Sequence, residues 1–256
     1  MLRPLLRSKF VSFFHNEKFF HFLDGCFNRL GHLIADDILV DSNKAKVFIQ
    51  SLYLTRNSSP KVISFYLGVN TSPLLRGFSK PYKFVYTGRI NVSKGLTQAI
   101  DFLKTLSDYG FDCTFTIYGS DNNFLKTLKS YISEKGLEHI VFIHEAVGRG
   151  DLLVIFREFD FYLQLSPHEG MAVAVIDAMA VGLVPIVYPA GEIPAYSTHL
   201  RNSLHYDGSA LRLQEIIACL KDHKLLEGIR SEAQNVRFIK QTYADSLLQA
   251  LRVIGN

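Results

Sequence analysis

The sequence predicts an α/β protein with one complete, doubly wound, Rossmann-like domain preceded by part of a second. From about residue 81 short β-branched or aromatic runs alternate with longer helical patterns, the order that a sheet with crossover helices requires. Most of those runs are nearly continuous in apolar character, which marks strands of a parallel sheet covered on both faces. Upstream the same pattern is thinner, with two or three runs in the 72 residues that come first, too few for an independent α/β domain.

Taken in order, KFVSFFHN at 9–16 reads as a strand, 18–34 as helical, DDILVD at 36–41 as a strand, 42–53 as helical, and VISFYLGVN at 62–70 as a strand leading into a loop. Thr71 to Pro81 holds two prolines and a glycine, a linker composition. The boundary therefore falls at 73–82, between a partial domain over 1–72 and a complete one over 83–235. In the second, strands are expected at KFVYTG (83–88), CTFTIYG (113–119), HIVFIH (139–144), FDFYLQLS (159–166) and LVPIVY (183–188). Helical patterns at 94–109, 122–135, 150–158 and 170–181 follow the first four. A long amphipathic stretch over about 228–253 predicts a last helix, with 236–256 packing back across both parts.

Composition limits the function classes. The 256 residues are 48% apolar and 20% charged, as in soluble globular proteins. Cys26, Cys113 and Cys219 lack pairing or metal-ligand spacing, so they read as buried thiols of a reducing, cytoplasmic protein. A net charge of +4 gives no reason to expect a nucleic-acid partner. Residues 1–30 carry a local excess of three positive charges and many Phe and Leu. This end reads as an amphipathic core element with a solvated basic edge, peripheral contact with the inner face of a membrane being the alternative. Arg3, Arg7 and Lys9 interrupt any signal-peptide core, and no stretch is long and apolar enough to span a bilayer.

Open α/β sheets bind ligands at the C-terminal ends of their strands, so residues just after the runs carry the chemistry. In TGRINVSKG, at 87–95, Gly88 frees the backbone, and Arg89 and Lys94 lie five positions apart. A guanidinium grips phosphate oxygens in pairs and an ammonium adds a compact charge, a combination suited to a diphosphate. SPHEGMAVAVIDAMA, at 166–180, opens a helix whose N–H groups face the same edge and favour anions. Its Glu169 and Asp177 are eight positions apart, about 12 Å along a helix, too far to act together on one bond. Asp177 stands among apolar neighbours, so if buried it needs a hydrogen-bonding partner. Gly119, in YGSDN, reads as a tight turn, and His15 and His144 are strand-end histidines.

GRINVSKG, followed by SPHEGMAVAVIDAMAVGLVPIV, resembles the nucleotide-binding half of a GT-B glycosyltransferase of the retaining family 4 group (glycosyl transferases group 1). The motifs are similar to that family's G-R-x(4 or 5)-K-G loop and E-x7-E pattern, and the likeness runs over roughly residues 36–250. The resemblance implies that Arg89 and Lys94 bind the donor's diphosphate and steady it as it leaves. It implies Glu169 at the donor sugar and Asp177 at the ribose. The amides of Gly170, Met171 and Ala172 would lie against the sugar and phosphates, with Gly88 at the phosphate loop. Gly119 and the turn from Ile143 and His144 to Ala146 would border the base. FFHN resembles a strand whose histidine reaches the donor sugar from the other domain, so His15 joins the catalytic set. The reaction implied moves a glycosyl group from a nucleotide-sugar to a saccharide or lipid-linked glycan with retention, without a metal or other cofactor, there being no D-x-D pair.

The sequence also departs from the pattern. Asp177 replaces a glutamate, EGMA replaces EGFG, Gly119–Ser120–Asp121 replaces GxG, and Glu145 stands where a glycine is usual. A full first domain needs about 150 residues, so a truncated product, or a partner chain supplying the missing half, is one expectation. A noncatalytic nucleotide-binding or interaction module is the competing one.

Overall fold

The computed structural model describes residues 9–14, 22–52, 59–63, 74, 76–236 and 243–255. The chain forms two compact units, Met1–Gly68 with Gln241–Asn256, and Val69–Lys240. In the first, strands β1 (Val11–Phe14), β2 (Asp37–Val40) and β3 (Lys61–Val62) make a parallel sheet in that order. Alternation along β2 divides its side chains between two faces. Ile38 and Val40 pack with Phe14 against Ala45 and Ile49 of α2 (Asn43–Ser51). Leu39 packs with Ile63 against Ala250 and Ile254 of the last helix, α10 (Tyr243–Gly255).

Helix α1 (Phe22–Ile34) joins β1 to β2 and is turned the opposite way from expectation. Its buried contact is polar: His32 is 2% exposed, shares a 3.0 Å hydrogen bond with Ser12 and meets Phe14 edge-on. Phe22, Leu23, Phe27 and Leu30 are exposed, Phe22 to 83%. The sequence pattern of an amphipathic core helix is present, but the apolar arc faces outward. Cys26 lies on that arc and is exposed, whereas Cys113 and Cys219 are the buried thiols expected.

The second unit is built on six parallel strands, β4 (Tyr82–Thr87), β5 (Cys113–Tyr118), β6 (Val141–His144), β7 (Phe161–Gln164), β8 (Val184–Val187) and β9 (Leu204–His205). Their order is β6-β5-β4-β7-β8-β9, the doubly wound arrangement that reverses direction between β4 and β7. Phe84 and Phe161 pair across that junction with rings stacked at 4.9 Å, and each buried Phe contributes roughly 1.5–3 kcal/mol. Helices α3 (Leu96–Asp108), α4 (Leu125–Glu134), α5 (Arg149–Ile155), α6 (Val173–Val181), α7 (Ile193–Tyr196), α8 (Ala210–Lys221) and α9 (His223–Gln234) complete the unit.

At the N-terminal end of the sheet, buried Asp160 forms an ion pair with Arg76 Nη1 (2.8 Å) and accepts from the Lys83 amide (3.0 Å). Arg230 of α9 donates to the Arg76 carbonyl at 2.6 Å and lies over the Phe78 ring. This cluster fastens the entering segment to sheet and helix at the end away from the ligand edge.

Two further boundaries differ from expectation. The stretch read as one helix over 228–253 is α9, ending at Gln234, and the separate helix from Tyr243. The helix expected from 170 begins at Val173, because Ala172 adopts φ 50°, ψ 56° and breaks the helical path.

Candidate functional site

In a sheet of this strand order the ligand edge is at the C-terminal ends of β4 and β7, where the connections from the two strands part. After β4 the chain runs through Gly88 and Arg89 into a short 3-10 turn, Val92–Lys94, capped by the Asn91 side chain. Gly95 then takes a left-handed conformation, φ 65°, and a Cβ there would stand 2.2 Å from the Leu165 carbonyl oxygen. Only glycine lets the two loops approach this closely. Ser166 ties them again, its hydroxyl 2.9 Å from the Ser93 carbonyl. The result is an ion pair between motifs distant in sequence: Lys94 Nζ lies 2.7 Å from Glu169 Oε1, with side-chain exposures of 19% and 9%.

Arg89 is exposed on the same edge, its carbonyl accepting from the Tyr86 hydroxyl at 3.2 Å. Burial pushes the Tyr86 phenol far above its usual range, Tyr162 and Glu169 push the same way, and the Arg89 charge opposes them. One hydroxyl therefore senses both Arg89 and Glu169. Tyr162, fully buried beneath, has its hydroxyl 3.1 Å from the Thr87 carbonyl and 3.1 Å from Gln164 Oε1.

Gly170, Met171 and Ala172 form a loop before α6, not its first turn. It is held by residues the sequence reading did not single out. Tyr196 donates to the Met171 carbonyl at 3.0 Å, and the Glu192 amide donates to Gly170 at 3.0 Å. A Cβ on Gly191 would meet the Glu169 carbonyl oxygen at 1.8 Å. The only sequence signal was the turn composition of PAGEIP after β8.

Asp177 is 3% exposed and finds its partner in Arg149, the first residue of α5. Arg149 Nε donates to Oδ2 at 2.9 Å and Nη2 to Oδ1 at 2.6 Å, a two-pronged geometry that holds a buried carboxylate well. The apolar neighbours of Asp177 predict a partner, but nothing in the spacing names a residue 28 positions away.

At the ends of β5 and β6 the Tyr118 and His144 rings stack at 5.0 Å, and the Gly119 amide donates to the His144 carbonyl at 3.1 Å. A Cβ on Gly119 would fall 2.0 Å from the Gly88 carbonyl oxygen, so strand-end packing demands this glycine. Gly88 itself has φ 148°. Ile143 and His144 end β6, and Glu145 follows them exposed. His15 lies outside the described residues. Among the described residues no group of three or more His, Cys, Asp or Glu is arranged to hold a metal ion.

The family model described as "Glycosyl transferases group 1" matches residues 75–236, a span that contains both motif loops. The chain belongs to that family. This group 1 chain is 28% identical over 113 residues to the GDP-mannose:cellobiosyl-diphosphopolyprenol alpha-mannosyltransferase of Xanthomonas campestris, covering 44% of the chain and 29% of that protein. The protein of the same name from Komagataeibacter xylinus is 30% identical over 101 residues, 39% of this chain and 26% of that one. The match thus spans less than a third of these curated relatives. A Rickettsia africae glycosyltransferase superposes with a TM-score of 0.80 at 16% identity, over 98% of this chain and 71% of that one. Anabaena HepE, solved with UDP and glucose, gives 0.78 at 20% identity, over 98% and 72%. The fold is that of GT-B glycosyltransferases.

Proposed function

We propose that the protein is a retaining glycosyltransferase that moves a sugar from a nucleotide-sugar to a saccharide or lipid-linked glycan. The observation that carries this is the Lys94–Glu169 pair at the β4–β7 crevice, which puts a cation and a carboxylate of two separate motifs at one point. In this reading Arg89 and Lys94 face the diphosphate. An ammonium has three N–H donors, so Lys94 can hold Glu169 and a phosphate oxygen together. As the glycosyl bond breaks, charge grows on the leaving diphosphate and the two cations stabilise it; the diphosphate takes the acceptor proton on the same face. Glu169, fixed by Lys94, meets the donor sugar, with the Gly170–Ala172 amides and Gly88 beside it. The ribose lies over the Asp177–Arg149 pair, and Gly119, Ile143 and His144 border the base. His15 is the remaining member of the proposed catalytic set.

The named relatives act on GDP-mannose and a diphosphopolyprenol-linked glycan, which supports a lipid-linked acceptor; in this reading the enzyme is cytoplasmic, works at a membrane surface and uses no metal. We also propose the division into a partial domain over 1–72, a linker at 73–82, the donor domain over 83–235 and a C-terminal segment over 236–256, with a further polypeptide supplying acceptor contacts. A noncatalytic nucleotide-binding module is the second reading. It is favoured by Ala172, which holds a left-handed conformation and puts a methyl group where this reading has the phosphates.

Calorimetry with UDP, GDP and ADP tests the donor site. At least one should bind in the micromolar range or weaker, and Arg89→Ala should weaken it at least a few-fold. No heat with any of the three removes the reading. Transfer or donor hydrolysis that depends on Glu169, and is lost in Glu169→Gln, separates the enzyme from the binding module.

A further inference from the structure

We propose that Arg149, not Asp177, is the side chain that meets the ribose of the bound nucleotide, with Asp177 as the buried anchor that aims it. The inference rests on the nucleotide lying across the β4–β7 crevice as above.

Exposure decides which partner faces the ligand. The Asp177 side chain is 4% exposed and that of Arg149 is 34% exposed. Each carboxylate oxygen already accepts one guanidinium N–H, at 2.6 and 2.9 Å, so a ligand arriving from solvent reaches the guanidinium first. Asp177 is one methylene shorter than glutamate and sits in the middle of α6, a helix buried on nearly all sides. Arg149 instead projects from the start of α5, directly after the loop at the end of β6. Its stem is long and its head is planar, and fixing that head by two parallel hydrogen bonds removes most of the rotamer freedom a solvated arginine would lose on binding.

The exchange changes the chemistry at this point. A carboxylate accepts hydrogen bonds, so a ribose hydroxyl meeting it must donate. A guanidinium only donates, so the ribose oxygen accepts. Dinucleotide-binding folds use this same difference, an acidic residue receiving a ribose hydroxyl and an arginine accommodating a more anionic sugar. Arg149 thus makes the ribose end of the crevice a hydrogen-bond donor and makes Asp177 a residue that acts through it.

The test uses the full chain and whichever of UDP, GDP and ADP binds tightest, with its 2′-deoxy and 3′-deoxy forms. Wild type should prefer the parent nucleotide over at least one deoxy form by about ten-fold or more, the range of one hydrogen bond to a charged group. In Arg149→Met, which keeps the stem and removes the donors, that preference should vanish. In Asp177→Asn, which leaves the guanidinium in place with a neutral acceptor beneath it, the preference should persist at lower overall affinity. A preference that survives Arg149→Met, or disappears in Asp177→Asn, overturns the proposal, as does a wild type indifferent to the deoxy forms. Should Arg149→Met fail to fold, Arg149→Lys replaces it and should retain part of the preference; none retained counts against the proposal. Failure of wild type to bind any of the three diphosphates is a different result and defeats the donor-site reading itself. Where transfer can be followed, Arg149→Met should raise the donor KM with kcat changed by no more than a few-fold, because a ribose contact is made equally before and during reaction.

Discussion

Ala172 occupies a conformation that costs an L-residue roughly 1–2 kcal/mol relative to helix, and glycine is freed of most of that cost. Ala172→Gly is therefore expected to stabilise the protein by about 1 kcal/mol, less whatever extra chain entropy glycine brings to the unfolded state. Urea unfolding measures it; a variant less stable than wild type means the φ 50° at this position is not strained. The neighbouring ion pair makes a second prediction. Lys94→Met leaves the Glu169 carboxylate, 9% exposed, without its charge partner and should cost about 1–3 kcal/mol. Adding Glu169→Gln should recover part of that loss, and a double-mutant cycle with no coupling between the two positions contradicts the pair's contribution.

Among the elements, the loops that carry the site are held by glycines whose absent side chains make room for a neighbour's backbone. Gly191→Ala would force its Cβ against the Glu169 carbonyl, so the 169–172 loop or the turn before α7 has to move. Nucleotide affinity should fall at least ten-fold in this variant, by calorimetry, with far-UV circular dichroism unchanged; intact affinity means the turn yields instead of the loop. These contacts explain how much could be read from the chain. The strands of the second sheet were legible because their apolar runs are continuous, and Arg89, Lys94, Glu169 and Asp177 because their spacing matches a motif. β9, two residues long, carries no pattern that a reader can find. Arg149 and Tyr196 were invisible, and Gly191 showed only as turn composition, because their roles arise from three-dimensional approach between separate loops. The start of α6 was misplaced since Ala172 is a good helix former by propensity, and its backbone is set by Tyr196 and by the chain path around Glu169.

For the molecule as a whole, the histidines of the second unit set a pH dependence. His205 is pushed down to about 4, first by burial and then by the charges of His199 and Arg212. His199 is also lowered, mainly by burial, with Glu215 opposing. A histidine whose folded pKa lies below its unfolded value, about 6.5, binds protons more readily when the chain is unfolded. Stability from these groups is complete above about pH 6.5, falls as pH drops from there towards 4, and levels off below. Urea midpoints at pH 7, 5.5 and 4.5 should decline in that order, and His205→Gln should flatten the decline; an unchanged slope assigns it to other groups. Helix α1 has a consequence of another kind. Its outward Phe22, Leu23, Phe27 and Leu30 give the folded chain the optical signature usually taken for a partly unfolded one: a dye such as ANS, which brightens on apolar surface, should fluoresce with the native protein and dim when Phe27 and Leu30 are both changed to Ser.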